Sequence, residues 1–116
     1  MDLEQIISEY IECYNNFRID EMLDLFATDC IFENISNSNG ILKISGKDEL
    51  KSLVEKSKEI FSTKEQQIIN LYTGDNHAVA EIIFKGILIN DSKIDLRGVS
   101  IFEIENGKIK RLADYS

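Results

Sequence analysis

Proline is absent from this sequence, cysteine occurs twice, histidine once, and basic residues are outnumbered; each scarcity removes a class of protein. Without proline there is no proline-rich linker, and no repeat or low-complexity segment marks a second unit, so a single domain over residues 1–116 is expected. Cys13 and Cys30 form no Cys-x-x-Cys pair and are too few and too widely spaced for a zinc knuckle or a disulfide framework. Both sit in apolar patterns and read as buried free thiols. The lone histidine, His77, follows Asp75-Asn76 in a turn and reads as an exposed loop residue. Any metal site would need carboxylates almost alone, so no metal and no cofactor are expected. Lys and Arg number 13 against 21 Asp and Glu, a net charge of −8. Polyanion binding relies on clustered basic residues, and the only dense run is Lys108, Lys110 and Arg111, which disfavours nucleic acid as a partner. No apolar run approaches the roughly 20 residues that cross a bilayer, and Met1-Asp2-Leu3-Glu4 lacks a basic region leading into an apolar stretch. No membrane partner and a cytoplasmic location are the expectation.

What is present is a hydrophobic content of 43%, enough at this length to bury one core but not two. Leu3, Ile6, Ile7, Tyr10, Ile11 and Tyr14 follow the spacing that lays apolar residues along one helical face. Asn15 and Asn16 break that helix. Asp20 can cap a short second one carrying Met22, Leu23, Leu25 and Phe26, closed by Asp29. Alternation then predicts a strand over Cys30–Ser36, a polar turn over Asn37–Gly40 and a short strand over Ile41–Ile44. Gly46 precedes a third helix with Leu50, Leu53, Val54, Ile60 and Phe61, on which Lys51 and Glu55 can pair. The remainder reads as an antiparallel meander of Gln66–Tyr72, Ala78–Ile89, Lys93–Glu105 and Ile109–Tyr115. Asn106-Gly107 between two alternating runs is a strong hairpin signal. Gly86 and Gly98, inside long strands, predict bends or bulges that let the sheet curl.

This order of elements resembles the nuclear-transport-factor-2-like superfamily, which includes SnoaL-like cyclases and ketosteroid isomerases. Two strings carry the likeness. Asn15, Asp20, Leu25-Phe26-Ala27, Asp29 and Phe32-Glu33-Asn34 resemble the stretch in which a helix pair enters the first strand. Asn106-Gly107-Lys108-Ile109 to Asp114-Tyr115 is similar to the closing hairpin of SnoaL-like and limonene-epoxide-hydrolase-like members. The resemblance implies an α+β fold, a cystatin-like curved antiparallel sheet (a cone) with the N-terminal helices packed on its concave face. It also implies a pocket between the two layers and a homodimer formed through the outer face of the sheet. Ile31, Ile35, Val99 and Ile101 would supply that outer apolar stripe.

If the even-numbered face of the first strand is concave, parity turns Phe32, Asn34, Ile82, Phe84, Ser100, Phe102, Leu112 and Asp114 inward, along with Leu96, Gly98 and Ile104. Such a wall, mostly apolar with a few converging polar groups, suits a small apolar ligand. Phe61 and Tyr14 are expected beside it. Tyr10 matches the position from which a ketosteroid isomerase donates a phenolic hydrogen bond, although a core tyrosine is the other reading. Asn34 and Ser100 fall where those isomerases keep two aspartates. An amide cannot shuttle a proton near neutral pH, so that route is not expected. Phe32-Glu33-Asn34 and Asp114-Tyr115 match the Tyr-x-Asn and Asp-Tyr of limonene epoxide hydrolases, but their Arg-x-Asp is here Ile82-x-Phe84, which removes the water-activating set. Asp114 remains as the one inward carboxylate, if it is not at the frayed end of the sheet. Asp95, Arg97, Glu81 and Glu103 have the opposite parity and read as a polar outer face. Three functions stay open. One is a proton-transfer isomerase, cyclase or hydrolase of a small carbonyl compound, with Asp114 as acid or base, Tyr10 as donor and Asn34 orienting substrate. The others are a non-catalytic ligand-binding protein and a dimerisation or accessory module.

Overall fold

In the computed structural model, which describes residues 1–116, the chain opens on helix α1, Leu3–Asn15. Asp2 caps it reciprocally: its carboxylate accepts from the Gln5 backbone N–H at 2.8 Å, and the Gln5 side chain accepts from the Asp2 N–H at 2.8 Å. The face buried is Ile6, Ile7, Tyr10 and Cys13, the stripe that the spacing predicts. Helix α2 is Ile19–Leu23, shorter than expected and preceded by Arg18 rather than started at Asp20. Strand β1 therefore begins at Phe26, not Cys30, and runs to Ser36. Phe26 pairs with Ile109 from the far end of the chain, a long-range contact that local periodicity cannot reveal.

Strand β2 covers Gly40–Ser45 and helix α3 covers Lys47–Ile60, entered through Gly46 at φ +88°, a conformation that glycine adopts freely. Lys51 and Glu55 lie 3.9 Å apart on α3. Strands β3 (Phe61–Thr73), β4 (His77–Leu88), β5 (Lys93–Glu105) and β6 (Lys108–Tyr115) complete the chain. Phe61 opens β3 instead of closing α3; it pairs with Leu88, and the four residues that had no assigned element, 62–65, join the sheet with it. Asn106 and Gly107 both have positive φ (53° and 75°), as a type I′ turn requires.

The six strands form one open curved sheet in the order β2-β1-β6-β5-β4-β3. Three consecutive pairs, β3 to β6, make the expected antiparallel meander, but β1 and β6 run parallel, so the sheet is mixed. The curl does not arise from bulges at Gly86 and Gly98. Register shifts lie instead at Phe61/Thr63, Ile68/Asn70, Glu103/Ile104 and Phe26/Ile31. The two glycines permit close approach: a Cβ on Gly98 would stand 2.5 Å from the Tyr115 carbonyl oxygen, and one on Gly86 2.9 Å from the Phe61 ring. The helices lie on the concave face, where Ile6, Ile7, Phe26, Phe102, Ile109 and Leu112 are almost wholly buried. Asn15 fastens α1 to β3, since its amide donates to the Gln66 carbonyl at 3.0 Å and accepts from the Gln66 N–H at 2.7 Å. Cys13 and Cys30 are buried and unpaired. No helix is long and apolar enough to cross a membrane.

Candidate functional site

Between the helices and the concave wall lies a two-lobed cavity. The larger lobe, about 330 Å³, is bounded by Tyr10 and Tyr14 of α1, Leu53 and Ser57 of α3, and Phe32 and Leu112 of the sheet. The smaller, about 230 Å³, opens toward β4 and β5 past Ile82, Phe84, Leu96 and Gly98. Tyr14, Asn34, Phe61 and Asp114 line both lobes and form the waist between them.

Register explains this waist. In the parallel pair Asn34 stands opposite Asp114, and in the next pair Asp114 stands opposite Ser100, so three polar residues cross three strands in one row. Side chains in such a row share a face. The Ser100 hydroxyl donates to Asp114 Oδ1 at 2.6 Å. Water reaches the edge of Asp114, yet its carboxyl is enclosed by protein, and burial pushes it up to about 6 despite the opposing effect of the Ser100 hydrogen bond. No Lys or Arg forms an ion pair with Asp114; Lys110, on the same strand, is held by Asp29.

Tyr10 is buried, its ring edge-on to Phe26 and Phe102 with centroids 5.8 and 5.6 Å away. Burial first, and then the charges of Asp114 and Tyr14, hold its phenol well above its ordinary value, so it is a neutral donor. Tyr14 is raised as well, by burial and then by Asp114. Of the candidate site residues, Tyr10, Tyr14, Phe32, Asn34, Phe61, Ile82, Phe84, Leu112 and Asp114 line the cavity, and Leu96 and Gly98, turned inward by parity, line it with them. Ser100 and Phe102 do not. Both are buried behind the lining, where Ser100 supports Asp114 and Phe102 supports the Tyr10 ring. Arg97, assigned to the outer face by parity, borders the smaller lobe beside Tyr115 and Ser116.

The outer face carries Glu33, Arg111 and Glu103 as a cross-strand ion-pair network, with Arg111 Nε 2.8 Å from Glu33 and its Nη1 2.6 Å from Glu103. Glu81 accepts from Tyr72 and Asn70.

Lys64 is the feature that sequence reading missed. It lies on β3 opposite Gly86, is only 7% exposed, and lines the larger lobe. Its ammonium donates to Ser57 Oγ at 3.2 Å and sits over the Tyr14 and Phe17 rings, 3.7 and 4.7 Å from their centroids. No carboxylate pairs with it, and burial lowers it to about 8. The alternation Lys64-x-Gln66-x-Ile68 carries the signal, since it extends the β3 period back past Gln66, where the expected strand begins.

Comparison with known proteins adds a family and a set of shapes. The model for the SnoaL-like domain matches residues 7–112. No curated protein matches the sequence. Among solved structures, a phenazine biosynthesis-related protein from Pseudomonas aeruginosa superposes with a TM-score of 0.83 at 22% identity, over 97% of this chain and 77% of that one. An LEH-like epoxide hydrolase from M. tuberculosis gives 0.82 at 17% identity, over 96% and 79%. A cystatin-fold protein from Novosphingobium aromaticivorans gives 0.83 at 15% identity, over 98% and 97%. At these identities the likeness is one of fold.

Proposed function

The chain belongs to the SnoaL-like domain family, and on that premise we propose that its cavity binds a small, mostly apolar carbonyl compound and moves a proton on it, with Asp114 as the base. The observation that carries this reading is the carboxyl of Asp114 at the waist of the cavity, held near 6 by burial and aimed by Ser100. A base is most useful when its pKa lies close to the working pH, and Asp114 is mostly ionised at neutrality yet still able to hold a proton. The carboxylate takes a proton from carbon next to the carbonyl; the C–H electron pair becomes an enolate, and the phenol of Tyr10 donates a hydrogen bond to the oxygen that gains charge. The protonated Asp114 then returns the proton to another carbon, which completes an isomerisation or the proton step of a cyclisation. Asn34, beside Asp114 in register, orients the substrate.

The assay is proton exchange. Small apolar ketones incubated with the protein in deuterium oxide are followed by NMR for loss of the signal next to the carbonyl. The wild type is expected to exchange at least one hundredfold faster than Asp114→Asn, a loss of about 3 kcal/mol in barrier lowering. Equal rates in the two proteins would sink the catalytic reading and leave the alternative, a ligand-binding protein. Asn34 supports that alternative, because an amide stands where related isomerases keep their proton-shuttling carboxylate.

The same reading extends to assembly and location. Ile31, Ile35, Val99 and Ile101 are half-buried on the face away from the helices, which supports a homodimer through that face. Two buried, unpaired thiols suit a reducing compartment such as the cytoplasm.

A further inference from the structure

The charges of the larger lobe run against those of the protein. The chain has eight more acidic than basic residues, yet the only charged groups that line this lobe are Lys56, Lys64 and Asp114. Lys56 is exposed at the mouth, whereas Lys64 is in the wall. Withdrawing an ammonium from water is costly, and an ion pair would ordinarily offset the cost. Lys64 forms none: one hydrogen bond to Ser57 and the faces of two aromatic rings are what it has, and neither supplies a negative charge. Twelve of the seventeen lining residues are hydrophobic, so a ligand that satisfies this wall must be apolar over most of its length.

We propose that the larger lobe selects an apolar keto acid, whose carboxylate pairs with Lys64 while its hydrocarbon body, which carries the reacting carbonyl, lies along Leu53, Phe32 and Leu112. This names the substrate class for the reading above and rests on the same cavity. The ammonium end fixes the anionic group at the β3 side, and Asp114 at the waist then faces the middle of the molecule and not its charged end. Lys56 at the mouth attracts the incoming anion through the field of an otherwise acidic surface.

Calorimetry with 4-phenylbutyrate and its neutral counterpart 4-phenylbutyramide tests the idea, because the two share shape and differ in charge. The acid is expected to bind the wild type at least tenfold more tightly than the amide. Lys64→Met, which keeps the stem and removes the charge, should abolish that preference, and Lys64→Arg should retain much of it. Equal affinity for acid and amide in the wild type, or no binding of either, overturns the proposal without recourse to any variant. A preference that survives in a folded Lys64→Met protein overturns it too, and assigns Lys64 to packing against Tyr14 and Phe17. The exchange measurement reports on Asp114 alone. Acid preference without proton exchange therefore rejects the base and keeps the lysine, and exchange without acid preference does the reverse.

Discussion

At the scale of single residues, Asp114 and Lys64 are both charged groups that the fold has withdrawn from water, and each leaves a mark on stability. A carboxyl raised from its ordinary value to about 6 favours its protonated form in the folded state, so between about pH 4 and pH 6 the folded protein holds a proton that the unfolded chain has lost. Stability from this group is present below that window and falls as pH rises through it. At pH 7 the cost is about 2 to 3 kcal/mol. Asp114→Asn keeps an oxygen to accept from Ser100 and escapes the cost, so its urea midpoint should exceed the wild type's at pH 7, and the gap should close by pH 4. A gap of constant size would mean that the carboxyl titrates as it does in water. The inward position of Asp114 was legible in the sequence, because period-two alternation carries parity from one end of a strand to the other. Lys64 was not, since an isolated lysine between two elements looks like any surface residue until the strand around it is known.

The elements show why some boundaries could be read and others could not. Helix α1 and the β5–β6 hairpin announce themselves through local chemistry, the apolar stripe with its Asp2–Gln5 cap in one case and two positive-φ residues in the other. Phe26 and Phe61 were both assigned to helices and both open strands, since an aromatic residue at a junction suits either period and its strand partners, Ile109 and Leu88, are distant in sequence. The same holds for Ser100 and Phe102. Parity gave their face correctly, but whether an inward side chain lines a cavity or lies behind it depends on what packs above it. Gly98 provides a test at this scale. Its missing side chain leaves room for the backbone of β6 at Tyr115, one residue from Asp114, and a backbone carbonyl cannot swing aside as a side chain would. Gly98→Ala should therefore destabilise the protein by about 1 to 3 kcal/mol in thermal or urea melts and slow proton exchange by displacing Asp114. Wild-type stability together with wild-type exchange would show that β6 can yield without moving the site.

For the molecule as a whole, the helical layer covers one face of the sheet and leaves the other open, the face through which the homodimer is proposed to form. Placing a charge in the middle of that face, as in Ile101→Asp, should convert a dimer to monomers by light scattering at tens of micromolar while preserving the melting of each protomer's core. A wild type that is monomeric under the same conditions would contradict the assembly. The parallel pairing of β1 with β6 has a consequence for how this protein is made. The strand that joins the two parts of the sheet is the last of the six to be synthesised, and until residues 108–115 leave the ribosome, β1 and β5 each present an unpaired edge. Open edges of that kind are where nascent chains aggregate, and closing them requires a contact between distant parts of the sequence, which is slow. Asp114 travels on the strand that closes both edges. Chains that stop short are thus both aggregation-prone and without Asp114, the proposed base, and the candidate site comes into being in the same event that makes the fold safe.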